Sequence, residues 1–157
     1  MRGAALLAAW FVWPGVTWPA IKARIAKEFP NVKSIGTAEL AKVQPKPVLL
    51  DVRTAAEFDV SHLAGARRMD PEAAAASVTL PKNTPIVTYC SVGYRSAKFA
   101  QRLQEAGFTN VRNLEGSIFQ WANEGRPIEP SAKVHPYNKR WGALLNPPLR
   151  ATAGGAE

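Results

Sequence analysis

The chain has 157 residues, 20 Lys/Arg against 12 Asp/Glu, two His and one Cys. That length suits one domain with segments left over at its ends. A lone cysteine excludes an internal disulfide framework, and the lack of a Cys/His cluster argues against a structural zinc site.

The excess positive charge lies at the ends: residues 45–130 carry ten Lys/Arg against nine acids. A nucleic-acid binder would place a basic stripe with interleaved aromatics on its folded body, so nucleic acid is not expected. Solvated surface charge is the simplest explanation of the basic ends, and an anionic membrane surface or a protein complex is the alternative.

Gly3 to Ile21 holds no charged residue, and Arg2 precedes it. As an export signal it has a basic start and an apolar stretch but no clean small-residue cleavage site. As a membrane anchor it is barely long enough, with Pro14, Gly15 and Pro19 inside it. As a packing arm it would lie on its own domain or on a partner. A periplasmic or membrane-associated location is favoured, with a cytoplasmic one left open.

The body alternates strand and helix signals. Ile21, Ile25 and Phe29 recur every four residues behind a Thr17 cap, which predicts a helix. Val48 to Val52 is a short apolar run, the mark of a strand buried on both faces. Thr54 and Glu57 have capping-box spacing. Asp70-Pro71-Glu72 predicts a further helix, running through the alanines to Ser77. Pro85 to Tyr89 reads as a second buried strand. Ala97, Ala100, Leu103 and Ala106 follow helical spacing up to Gly107. Asn110 to Leu114 is again a strand, and Gly116 to Glu124 a closing helix. The fold class is therefore α/β, a central parallel sheet with helices on both faces. The expected organisation is an apolar segment over 1–21, a domain over 22–130 with its leading helix, and a basic tail over 131–157. After Arg126-Pro127 the pattern turns irregular, with apolar anchors at Val134 to Tyr137 and Trp141 to Leu145. This tail is expected to wrap the domain or touch a partner.

Cys90 stands at the carboxyl end of a predicted strand, where ligands sit in parallel sheets. Ser91, Val92, Gly93, Tyr94, Arg95 and Ser96 carry the chain into the next helix. First-turn helical amides lack internal partners and carry partial positive charge. A tight loop with Gly93 could curl such amides toward one point, with Arg95 adding a full charge. Each charge-assisted hydrogen bond stabilises a sulfur anion by roughly 1.5–3 kcal/mol. Buried free cysteines are more often inert hydrophobes, and placement separates the two cases.

The loop CSVGYRS resembles the active-site loop of single-domain rhodanese-like sulfurtransferases. Leu50-Asp51-Val52-Arg53 with Glu57-Phe58, Ser61-His62-Leu63-Ala64-Gly65-Ala66, and Leu114-Glu115-Gly116-Ser117 with Trp121 are similar to further motifs of that family, in the same order, across about Val32 to Pro130. Ser61, Ala64 and Ser117 depart from the pattern, and are expected to affect turn geometry without touching the thiol loop. The resemblance implies a rhodanese-like fold and a Cys90 thiolate that attacks the outer sulfur of a small anionic donor such as thiosulfate. A persulfide held by the loop then passes its sulfur to a thiol or cyanide, with no metal or organic cofactor. The resemblance also offers a non-catalytic binding or assembly module as the alternative, attached to a membrane or complex through the termini. Cysteine phosphatases place five residues between Cys and Arg; here Arg95 follows Cys90 after four, so phosphate chemistry is disfavoured.

Asp51, Arg53, Glu57 and His62 are assigned a supporting role: the charged three as an ion-paired network ordering the adjacent turn, His62 as a hydrogen-bonding turn residue. Tyr94 is a candidate for the pocket mouth. Arg95 either faces the substrate or bridges away from it, and Trp121 is expected in the core.

Overall fold

The structure of the chain, a computed structural model, describes residues 16–152. The candidate export signal or anchor falls mainly on residues outside that range. Among the described residues no helix is long and apolar enough to cross a membrane.

Helix α1, Trp18–Glu28, opens with the Thr17 side chain accepting from the Ala20 amide at 3.4 Å, and Pro19 lies in its first turn, where a missing N–H costs nothing. Strand β1, Lys33–Ile35, and helix α2, Thr37–Lys42, come next. Neither is marked by a sequence pattern: only Ile35 of the three strand residues is buried. Strand β2 is Val48–Asp51, and α3, Ala55–Val60, starts with the expected capping box between Thr54 and Glu57. Two short strands follow, β3, Ser61–His62, and β4, Arg67–Arg68.

The helix expected over 70–77 is a turn followed by a single 3-10 turn, Ala75–Ser77. The Asp70 carboxylate accepts the Glu72 amide at 2.8 Å and the Asp70 carbonyl accepts the Ala73 amide at 2.9 Å, closing a local turn in place of a helical start. The alanines bring little apolar surface to bury, and a short helix needs that burial more than it needs propensity.

Strand β5, Ile86–Tyr89, α4, Tyr94–Glu105, β6, Val111–Leu114, and α5, Ser117–Asn123, complete the body. The five-stranded sheet runs β1-β6-β5-β2-β4, every pairing parallel. All four residues of central β5 are buried. Val87 and Tyr89 join one cluster with Leu40, Ile118 and Phe119, while Ile86 joins another with Phe99, Ala100 and Leu103 of α4. This alternation is what a strand covered on both faces must show. Residues recurring at helical spacing along α4 supply the second layer.

Strand β7, Glu129–Pro130, pairs antiparallel with β3. Residues 131–152 then pack back on the body, in more ordered form than the irregular pattern suggests. They contain α6, Lys139–Gly142, and a 3-10 turn at Pro147–Leu149. Val134 bonds through its amide to the Leu149 carbonyl at 2.7 Å and through its carbonyl to the Ala151 amide at 2.9 Å. Val134 and Leu145 are fully buried in the first cluster. Asn123, at the end of α5, clamps the segment by donating to the Leu144 carbonyl and accepting from the Asn146 amide, both at 2.8 Å.

Candidate active site

Cys90 is the first residue beyond β5, and Gly93 takes φ +109° to turn the chain into α4. That left-handed value favours glycine, and it lets the Gly93 amide fold back on the thiol. The Gly93 N–H donates to Cys90 Sγ at 3.1 Å, and the Ser96 hydroxyl donates at 3.4 Å. These are the donors to the sulfur among the described residues, a main-chain and side-chain pair where the sequence suggested a full ring of amides.

The loop is fixed from the neighbouring strand ends. The amides of Ile118 and Phe119, in the first turn of α5, donate to the carbonyls of Cys90 and Ser91 at 3.2 and 3.1 Å. These are helix-start donors without partners in their own helix. The Asn113 side chain donates to the Gly93 carbonyl at 3.0 Å. The Cys90 amide donates to Ser117 Oγ at 3.2 Å, and that hydroxyl donates to the Leu114 carbonyl at 3.0 Å. Ser117 therefore touches the thiol loop directly, against the expectation that it altered only a turn. It does so from φ +48°, a conformation costly for a residue with a Cβ.

The three supporting charges separate into two pairs. Arg53 is fully buried and donates Nε and Nη2 to the two Asp51 oxygens at 2.9 and 2.6 Å, with a further bond to the Ser61 carbonyl. Burial works against the Arg53 charge, and the Asp51 carboxylate more than offsets it. Glu57 pairs with Arg95 and not with Arg53. Arg95 donates Nη1 and Nη2 to its carboxylate at 3.0 and 2.8 Å, and Nη2 also reaches Ser91 Oγ at 3.0 Å. Burial pushes the Glu57 carboxyl up, but the Arg95 guanidinium and the Thr54 donors override it and bring it down to about 2. Burial also opposes the Arg95 charge; the Glu57 carboxylate and the nearby Cys90 sulfur raise it overall. His62 stands apart, its ring stacked on Phe58 at 3.8 Å and its Nδ1 donating to the Phe58 carbonyl at 3.0 Å.

A cavity of about 150 Å³ opens over the thiol. Ser91, Val92, Tyr94 and Arg95 line it from the loop and α4. Its other walls come from segments that carry no site signal in the sequence: Ile21 and Arg24 of α1, Trp141 of α6, and Tyr137 just before it. The Tyr94 hydroxyl bonds Glu28, whose carboxylate also accepts Arg24 Nε at 2.7 Å. The Tyr137 ring lies 4.8 Å from the Arg95 guanidinium carbon.

The model of the rhodanese-like domain matches residues 37–124. The chain belongs to the rhodanese-like domain family. A sulfurtransferase of Allochromatium vinosum is 33% identical over 82 residues, covering 52% of this chain and 77% of that protein. The probable adenylyltransferase/sulfurtransferase MoeZ of Mycobacterium tuberculosis is 35% identical over 86 residues, covering 52% of this chain and 22% of its own length. Other relatives bear the name tRNA uridine(34) hydroxylase, and this chain spans 27% and 38% of two of them. The solution structure of the rhodanese-like domain of Alr3790 from Anabaena sp. superposes with a TM-score of 0.56 at 27% identity, covering 63% of this chain and 80% of that one. The matched domain model stops short of α1 on one side and of Tyr137 and Trp141 on the other.

Proposed function

We propose that the chain is a sulfurtransferase that carries sulfane sulfur on Cys90. The thiolate attacks the outer sulfur of an anionic donor such as thiosulfate. A sulfur–sulfur bond forms to Cys90 while the donor's own sulfur–sulfur bond breaks, and its electron pair leaves on sulfite. The resulting persulfide bears the negative charge until a thiol or cyanide attacks its outer sulfur and releases the Cys90 thiolate. No net oxidant or reductant is consumed. The two half-reactions share one covalent intermediate.

One observation carries this reading: the sole sulfur of the loop sits at a strand-to-helix junction, at the floor of a cavity, with the Gly93 amide and Ser96 hydroxyl turned onto it. Cys90 is itself buried, at 1% exposure, and what separates it from an inert core thiol is the pair of donors on its sulfur, the nearby Arg95 charge and the cavity it lines. Arg95 supports the loop through Glu57 and Ser91. In this role it is a positioning residue that shapes the anion site.

Steady-state turnover of thiosulfate and cyanide to thiocyanate tests the proposal. Parallel double-reciprocal lines and complete loss in Cys90→Ser are the expected results. Intersecting lines, or activity that survives Cys90→Ser, would contradict a sulfur carried on this residue.

A further inference from the structure

The walls over Cys90 come from two sources, and the second is foreign to the matched domain. Tyr137 and Trp141 of the C-terminal segment line the cavity together with Ile21 and Arg24 of α1. Tyr137 is the large hydrophobic residue left exposed among the described residues, at 48%. It also holds φ +66°, which is uncommon for a bulky side chain. The surrounding turn enforces this. The Tyr137 amide donates to His135 Nδ1 at 3.0 Å, the Asn138 amide donates to the Pro136 carbonyl at 2.8 Å, and Gly142 packs so closely on Pro136 that a Cβ there would lie 2.7 Å from the proline Cβ. Strained residues of this kind cluster at ligand clamps, where the surroundings over-determine them.

The two arginines that line the cavity are each paired with a carboxylate. Arg95 is held by both Glu57 oxygens, and Arg24 by Glu28. A dianion such as thiosulfate would give up strong hydration for a slot of aromatic and aliphatic walls whose two arginines, among the described residues, already hold carboxylates. A substrate with one charge and a hydrocarbon body loses less hydration and gains ring contact. The cavity volume of about 150 Å³ corresponds to about five waters at roughly 30 Å³ each, which fits a small organic molecule.

We propose that the Tyr137–Trp141 wall makes this site selective for an organic sulfane-sulfur donor, a thiosulfonate carrying an apolar aryl or alkyl body, and that Tyr137 is the specificity-determining residue. This rests on the sulfurtransferase reading of Cys90. The Cys90 thiolate attacks the terminal sulfur of R–SO2–S⁻. The new bond joins that sulfur to Cys90, the R–SO2–S bond breaks, and its electron pair departs on the sulfinate R–SO2⁻. Charge and electrons balance with no further reagent.

The test uses the full chain with cyanide as acceptor and three donors: benzenethiosulfonate, methanethiosulfonate and thiosulfate. Benzene- and methanethiosulfonate share leaving-group chemistry, so the ratio of their kcat/KM values reads the hydrocarbon body. Tyr137→Ala is expected to lower that ratio at least fivefold, and Tyr137→Phe, which keeps the ring, to hold it. Tyr137→Gly suits a φ of +66° and removes the ring without backbone strain, so it should lower the ratio equally even if the alanine variant folds poorly. An unchanged ratio in Tyr137→Gly, or a thiosulfate kcat/KM above both thiosulfonates in the unaltered chain, overturns the selectivity while leaving sulfur transfer intact. Failure of all three donors to load sulfur on Cys90 overturns the transferase reading and this one with it.

Discussion

The loop at the end of β5 and the segment after β7 both border the same cavity, yet they are held in different ways. The loop is tied from three sides: α5 amides on its carbonyls, Ser117 on the Cys90 amide, and Asn113 on the Gly93 carbonyl. The C-terminal segment is held differently: a short ladder at Val134 closes it on itself, and the Asn123 clamp with the buried side chains of Val134 and Leu145 attaches it to the body. The Cys90 sulfur thus sits on a frame tied to its neighbouring elements, and the Tyr137–Trp141 wall of the cavity sits on an attached strip. Damage to the frame should unfold the protein, whereas damage to the strip should open the cavity first.

The largest effect should come from the frame. Asp51→Ala leaves Arg53 buried without its counter-charge, and removing one partner of a buried pair costs about 3–5 kcal/mol. Urea denaturation measures this. Replacing both, as in Asp51→Ala with Arg53→Met, should recover much of the loss, since an apolar pair carries no orphaned charge. Equal loss in the single and double variants would mean the charges do more than balance each other.

The strip comes next. Leu145→Ala should cost about 2–5 kcal/mol through the cavity it leaves. The loss should be local, with amide exchange quickening around residues 131–152 while β5 and β6 stay protected. Uniform loss of protection across both regions would show that strip and frame unfold as one unit.

Acid supplies a smaller, graded perturbation of the frame. The Glu57 carboxyl is depressed in the fold to about 2, below its ordinary value near 4.5. A depressed carboxyl gives stability that is present above the unfolded value and lost as pH falls through the folded one. Of about 3 kcal/mol at stake at neutral pH, most should go between pH 4.5 and 2. In Glu57→Gln that segment of the stability–pH curve should flatten, and an unaltered slope would place the acid sensitivity elsewhere.

The frame was also the legible part of the sequence. Val48 to Val52 and Pro85 to Tyr89 read as buried strands because both faces are covered, so apolar residues run together without alternation. The Thr54–Glu57 capping box is a local device and was readable locally. What escaped was non-local. Glu57 meets Arg95 across 38 positions and Ser117 meets Cys90 across 27, and no spacing rule links them. Strand β1 leaves no trace in the sequence because three residues with one buried side chain form no pattern. The helix expected over 70–77 failed because a side-chain turn at Asp70 competed successfully with propensity. The local pattern marks Tyr137 only as an apolar anchor; its place over the thiol depends on α6 folding back, which only tertiary packing decides.

The intact mass of the protein after incubation with a sulfane donor and no acceptor tests the central claim most directly. The account predicts a gain of one sulfur atom, mapped to the peptide holding Cys90, removed by cyanide and absent from Cys90→Ser. A mass that stays unchanged with thiosulfate and with both thiosulfonates, or a sulfur atom found on the Cys90→Ser chain, would contradict it.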